Sequence, residues 1–119
     1  MPSSFTKPLV VREEGGRFWT LMEPFEFLSE RAERIIRVPV GFVTDFASIP
    51  RFLWAILPPT GRYGKAAVVH DFLYQTGEMS RLDADNTFLE GMEVLGVPYH
   101  RRYTMYWAVR AFGGRYYAG

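Results

Sequence analysis

The stretch "RIIRVPVGFVTDFASIP", residues 34–50, decides the reading of this chain. Its first part alternates around Ile36, Val38 and Val40, the period-2 pattern of a strand with one buried face. Pro39 cannot donate to a sheet ladder, so the strand is expected at an edge or a bulge. After Pro50 the pattern becomes helical. "RFLWAIL" reads as a short helix stopped by Pro58 and Pro59, and "RYGKAAVVHDFLYQTG" as a second, closed by Gly77. "MSRLDADNTFLEGMEVLG" is the third, with Ser80 and Asp83 set as a capping box and Gly96 as its stop. "PYHRRYTMYWAVRAFGG" is the fourth, entered through Pro98 and ended by Gly113 and Gly114.

Toward the N-terminus the chain reads as strands. "FTKPLVV" is short and β-rich, and "EEGGR" is a turn signal because paired glycines allow positive φ. In "RFWTLMEPFEFLS", Phe18, Pro24 and Phe25 break any clean helix. Strands first and helices after imply an α+β fold, with a small N-terminal antiparallel sheet followed by about four helices packed on it. One domain is expected over residues 1–119, mainly strands in 1–46 and mainly helices in 51–113.

Composition narrows the function classes. Hydrophobic residues make up 48% and aromatics 17%, which suits a packed core or an interface rather than a disordered chain. There is no cysteine, so disulfides and thiolate metal sites are excluded. Arg and Glu interrupt every apolar run, so no membrane span is expected. "MPSSFTKPLVVREE" lacks a basic start followed by an apolar stretch and reads as no signal peptide. Net charge is +1, but the charges are uneven: Glu clusters between Glu13 and Glu33, and no acid follows Glu93. Arg dominates over Lys, which favours forked ion pairs and contact surfaces. The simplest expectation is acidic groups on one surface answering Arg on another. Nucleic-acid binding would need a denser basic stripe, and no strong signal for it is present.

Four places break the core pattern. Asp45 and Ser48 in "TDFASIP" follow the strand into a loop, a common place for functional side chains. The simpler reading, a cap or a closed turn, is preferred. His70 and Asp71 interrupt an apolar helix. His70 shares its face with Tyr63, Ala66, Ala67 and Tyr74, and Asp71 lies on the neighbouring face with Gly64, Ala67 and Gln75. A single His on such a face is usually structural, whereas adjacent His-Asp pairs also bind divalent metals. Asp85 falls on the stripe of Leu82, Leu89 and Met92, where a carboxylate needs a cation, a metal or several donors. Arg81, one turn back, reaches it only from the flank. Arg110 lies among Tyr103, Tyr106 and Trp107, able to stack on rings while offering its fork to Asp85 or Asp71. Asp45, Ser48, His70, Asp71, Asp85 and Arg110 thus form one candidate polar cluster, catalytic or structural.

The ordered motifs "TDFASIP", "HDFLY", "ADNTF" and "YWAVRAFGG" resemble a small phage and prophage family, domain of unknown function 1353. Its pattern of T-D-x-A-S-x-P, H-D-x-L-Y, A-D-x-x-F and Y-x-A-V-R-x-x-G is carried here in order. The matching residues are Thr44, Asp45, Ala47, Ser48 and Pro50; His70, Asp71, Leu73 and Tyr74; Ala84, Asp85 and Phe88; and Tyr106, Ala108, Val109, Arg110 and Gly113. The resemblance implies a phage-borne protein. It brings no activity and no catalytic residue with it, but it selects the same polar residues as the pattern argument.

The first functional expectation is a phage virion or assembly-associated contact module, in a tail, neck or capsid-associated position. It would act with other phage proteins or with itself, in the virion or the host cytoplasm during infection, and needs no cofactor. The alternative is a small hydrolase acting on cell-wall or phosphoester substrates. There, Asp45, His70, Asp71 and Asp85 would hold a divalent metal that activates water, with Arg110 steadying the developing charge. A Ser48 nucleophile with His70 as base ranks lower, because no G-x-S-x-G elbow is present. A third reading, an inhibitor of a host protein, would be marked by Trp19, Trp54, Trp107, Tyr116 and Tyr117 on the surface.

Overall fold

The computed structural model describes residues 2–15, 18–46, 50–53 and 64–118. The first half carries six short strands: β1 (Ser4–Phe5), β2 (Val11–Glu13), β3 (Trp19–Leu21), β4 (Phe25–Ser29), β5 (Arg34–Val38) and β6 (Val43–Thr44). A 3₁₀ turn follows at Arg51–Leu53, then α1 (Gly64–Thr76), α2 (Arg81–Val94), α3 (Tyr99–Phe112) and a closing 3₁₀ turn at Gly114–Tyr116.

The fold is α+β, but the expectation of one N-terminal sheet with about four helices is corrected. The strands form two three-stranded antiparallel sheets, ordered β1-β4-β5 and β2-β3-β6, and three α-helices are described. Strands of two or three residues are too short to show a period, so the second sheet left only the "EEGGR" turn signal, which lies between the paired β2 and β3. Of the first expected helix only the Arg51–Leu53 turn is described; residues 54–63 lie outside the described residues. β5 is an edge strand that stops just before Pro39, as that residue requires. The alternation ends there too, for Val40 is exposed.

The sheets pack on the helices through Leu21, Phe25, Phe27, Ile36 and Val38 on one side and Val68, Leu73, Phe88, Met92 and Met105 on the other. β4 alternates buried and half-buried, so Phe25, Phe27 and Ser29 face inward. α1 is the central helix, burying residues all round from Gly64 to Tyr74.

The helix ends follow local chemistry. Ser80 Oγ accepts from the Asp83 amide, but the Asp83 carboxylate turns to Arg31, 3.6 Å away. Gly96, at φ 76°, closes α2, with its N–H on Glu93 O and the Val97 N–H on Met92 O. That pair of bonds is a Schellman motif, and the left-handed φ is the reason for glycine.

Gly91 permits the close approach of α1 and α2. A Cβ there would lie 3.3 Å from the Ala66 Cβ and 3.3 Å from Phe5 Cζ. Phe5 can move; Ala66, fixed to its helix backbone, cannot. Gly91→Val is therefore expected to cost about 1–3 kcal/mol in urea unfolding through overpacking.

Candidate functional site

The polar residues of the helices divide into two networks. On α1, His70 and Asp71 are successive, so their side chains leave the helix in different directions. His70 turns toward α2, where Nε2 lies 2.7 Å from Asp85 Oδ1. A carboxylate only accepts, so Nε2 carries the hydrogen. Tyr74, one turn on, donates to the same oxygen at 2.6 Å. From α3, Arg110 Nη1 donates to Asp85 Oδ2 at 2.8 Å. Both His70 and Asp85 are fully buried, whereas the Arg110 side chain keeps about a quarter of its surface in solvent, at 28%. The rings of Tyr74 and Phe88 flank the imidazole at 4.2 and 4.7 Å between centroids.

Arg81 completes this network without touching Asp85. Its Nε donates to Tyr74 Oη at 3.1 Å, and its Nη2 donates to Val109 O and Arg110 O at 2.8 and 2.6 Å. Both are carbonyls of the last turn of α3; Val109 O also accepts the Gly113 amide at 2.8 Å, so Arg81 is its second donor.

Asp71 faces the other way, toward β6. Its Oδ2 accepts from Thr44 Oγ1 and, at 3.1 Å, from Gln75 Nε2. Thr44 Oγ1 in turn accepts from the Phe46 amide. Phe46 sits at φ 55°, unusual for a bulky residue, with its ring packed on Trp19 at 5.2 Å. The Thr44–Asp71 contact therefore fixes the turn of the chain at Phe46. Asp45 is half-buried and close enough to act electrostatically on Asp71.

The two carboxylates are driven in opposite directions. Burial pushes the Asp71 carboxyl above its usual value, against the Thr44 hydrogen bond and the charge of His70, and with the help of Asp45. Burial also works against the Asp85 carboxylate, but the bonds from His70, Tyr74 and Arg110 outweigh it and hold that group low. Tyr74 is pushed up by burial and by Asp85, so it remains a phenol that donates. Arg110 is raised by the same carboxylate.

A raised carboxyl favours the fold at low pH, because the native state holds a proton that the unfolded chain has lost. Asp71 therefore subtracts stability as pH rises from about 4, its unfolded value, through its higher folded value. Asp71→Asn keeps an oxygen for Thr44 and Gln75 and removes that loss. Its urea midpoint is expected to fall less than that of the unsubstituted chain between acid and neutral pH.

The expected single cluster is thus two. His70, Asp85 and Arg110 meet; Asp71 instead faces Thr44 and Gln75 on the other side of α1, where Asp45 is near enough to act on it electrostatically. Ser48 lies outside the described residues. Arg110 finds Asp85, one of the two partners expected for it. Among the described residues no group of three or more His, Asp or Glu is placed to hold a metal ion. The Asp85 oxygens are also committed to three protein donors, so the set Asp45, His70, Asp71 and Asp85 does not fit a metal through Asp85. Tyr74, Arg81, Thr44 and Gln75 were missed as members. Tyr74 had a signal, since it shares the His70 face and ends the "HDFLY" motif; the reach of Arg81 to α3 had none.

Residues 19–109 match the family model described as "Protein of unknown function (DUF1353)", and the chain belongs to that family. All of the network residues but Arg110 fall within the match. The chain is similar to "Uncharacterized protein y4jT" of Sinorhizobium fredii (strain NBRC 101917 / NGR234), 41% identical over 78 residues. That alignment takes in 64% of this chain and 23% of the relative, so the chain spans about a quarter of that protein's length. No solved structure matches the chain. No helix among the described residues is long and apolar enough to cross a membrane.

Proposed function

We propose that this chain is a protein–protein contact module, of the kind a phage particle or its assembly uses, and that α3 is its contact element. The observation that carries this reading is the uneven burial of the helices. α1 buries most of its side chains, whereas α3 buries only Met105, Tyr106 and Val109. Its open surface displays Tyr99 at 67% exposure, Trp107 at 63% and Phe112 at 59%, with Phe52 against Phe112 at 5.9 Å. Large exposed apolar groups rimmed by polar ones mark interaction surfaces, and Trp, Tyr and Arg supply most interface hot spots.

The polar network supports the same reading. A carboxylate with both oxygens taken by protein donors serves better as a clamp between helices than as a ligand or a base. Of the aromatics that would mark a binding face, Trp107 and Tyr116 are exposed, Trp19 and Tyr117 are half-buried, and Trp54 lies outside the described residues.

A benzophenone amino acid placed at exposed Ala111, beside Trp107 on the outer side of α3, tests the reading in the cells that carry the gene. A discrete cross-linked protein adduct is expected, and Trp107→Ala is expected to abolish it while changing stability by less than about 0.5 kcal/mol. An unchanged adduct in that variant, or no adduct at all, would reject α3 as the contact element. Peptides of this chain in purified particles would separate a virion component from an assembly factor.

A further inference from the structure

We propose that the α3 face takes a segment of another protein that combines carboxylates with apolar side chains, and that Arg102 is the anchor for a carboxylate. This rests on the contact-module reading and adds the chemistry of the partner.

The charge on this part of the chain lacks its complement. No acid follows Glu93, while Arg101, Arg102, Arg110 and Arg115 all do. Arg110 is engaged by Asp85, but Arg101, Arg102 and Arg115 make no ion pair among the described residues. The expectation that the Glu-rich N-terminal surface answers these arginines does not hold there. Glu14 pairs with Arg12 and Glu26 with Arg37, both within the strand half.

Arg102 is the best placed of the three. Its guanidinium carbon lies 5.3 Å from the ring centroid of Tyr99 and 5.8 Å from that of Tyr103, and Nη1 donates to Val97 O at 3.1 Å. Its Nε is buried without an acceptor among the described residues. Nε lies too deep for a docking group to reach, but Nη2 has no acceptor among the described residues, so a fork held by two rings and a carbonyl still offers a donor to an incoming carboxylate. A guanidinium fixed in advance loses little freedom when a carboxylate arrives. Tyr99, Tyr103 and Trp107 follow at intervals of four, so they form one stripe along the helix. An apolar side chain next to the incoming carboxylate would lie on the Tyr99 and Tyr103 rings that flank Arg102, and one further along the segment on Trp107.

Other occupants fit less well. A second copy presenting the same face sets arginine against arginine. Nucleic acid calls for a continuous basic stripe, whereas here separate arginines alternate with rings over a chain of net charge +1.

The test titrates the full chain with a random copolymer of glutamate and tyrosine, with polyglutamate and with short single-stranded DNA, following tryptophan fluorescence. The copolymer is expected to bind most tightly and to weaken as salt rises. Arg102→Gln is expected to weaken it about tenfold, as the loss of a hydrogen bond to a charged group implies. Arg102→Lys should restore only part of that, because ammonium lacks the fork. Circular dichroism confirms that each variant is folded. Tighter binding to DNA, no binding to the copolymer, or an unaffected Arg102→Gln variant overturns the proposal. So does self-association in sedimentation that Trp107→Ala abolishes. If the Ala111 adduct forms but is indifferent to Arg102→Gln and to salt, the contact reading stands and the carboxylate assignment fails. If no adduct forms, the contact reading itself fails.

Discussion

Asp85→Ala is expected to destabilise the fold by about 3–5 kcal/mol, the range for breaking a buried charged pair by removing one partner. The loss is large because Asp85 serves three donors. Without it, His70 Nε2 and the Tyr74 hydroxyl are left inside the protein with no carboxylate to receive them, and Arg110 loses its counter-charge. Asp85→Asn is expected to cost less, since one oxygen remains for His70 and Tyr74, while its amide nitrogen faces Arg110 as donor against donor. Arg110→Met provides the control. Arg110 is partly in solvent, so its removal is expected to cost less than Asp85→Ala. The pH dependence separates charge from shape. Asp85 is held low in the fold, so its contribution is present above the unfolded value near pH 4 and is lost as pH falls through the lower folded value. The Asp85→Ala variant should lack that acid limb in a urea-midpoint titration. A loss below about 1 kcal/mol would remove the network as a determinant of the fold.

Phe88→Ala is the second large effect, expected at about 3–5 kcal/mol. Phe88 is fully buried on α2, and its ring stands 4.7 Å from the His70 ring. Truncation removes its apolar burial and opens a cavity against an imidazole held between two helices. Phe88→Leu fills much of that space and should recover more than half of the loss. A Phe88→Ala variant as stable as the unsubstituted chain would mean that the helices close over the gap, and the packing of α1 on α2 would need revision.

How far the fold was legible differs from one element to the next. The three helices were readable because each carries its own stops: Gly77, the Ser80 cap, Gly96 and Gly113 are all where the structure ends or begins a helix. β5 was readable because five residues suffice for alternation. β2 and β3 pair locally across the "EEGGR" turn, which was legible, but three residues each are too few to show alternation; β6 was not legible, because its partner is distant in sequence, Thr44 with Trp19. Asp85 and Arg110 were legible as a pair, since each was a charge among apolar neighbours and each supplied what the other lacked. The separation of His70 from Asp71 was hidden. Adjacency in sequence suggests a shared site, but a helix turns 100° between them, and only the positions of α2 and β6 reveal that each has its own partner.

Arg81 has a consequence for motion. By binding Tyr74 of α1 and the last carbonyls of α3 from its place on α2, it ties the fate of each helix to the other two. α3 cannot lift away by itself without leaving Asp85 short of a donor and Arg81 short of two acceptors. Hydrogen exchange should therefore find the slowest amides of α1, α2 and α3 opening together with one free energy, as a single cooperative unit. The inner surface of α3 is locked while its outer surface is open, so the contact proposed for it would form between rigid bodies rather than by folding on contact.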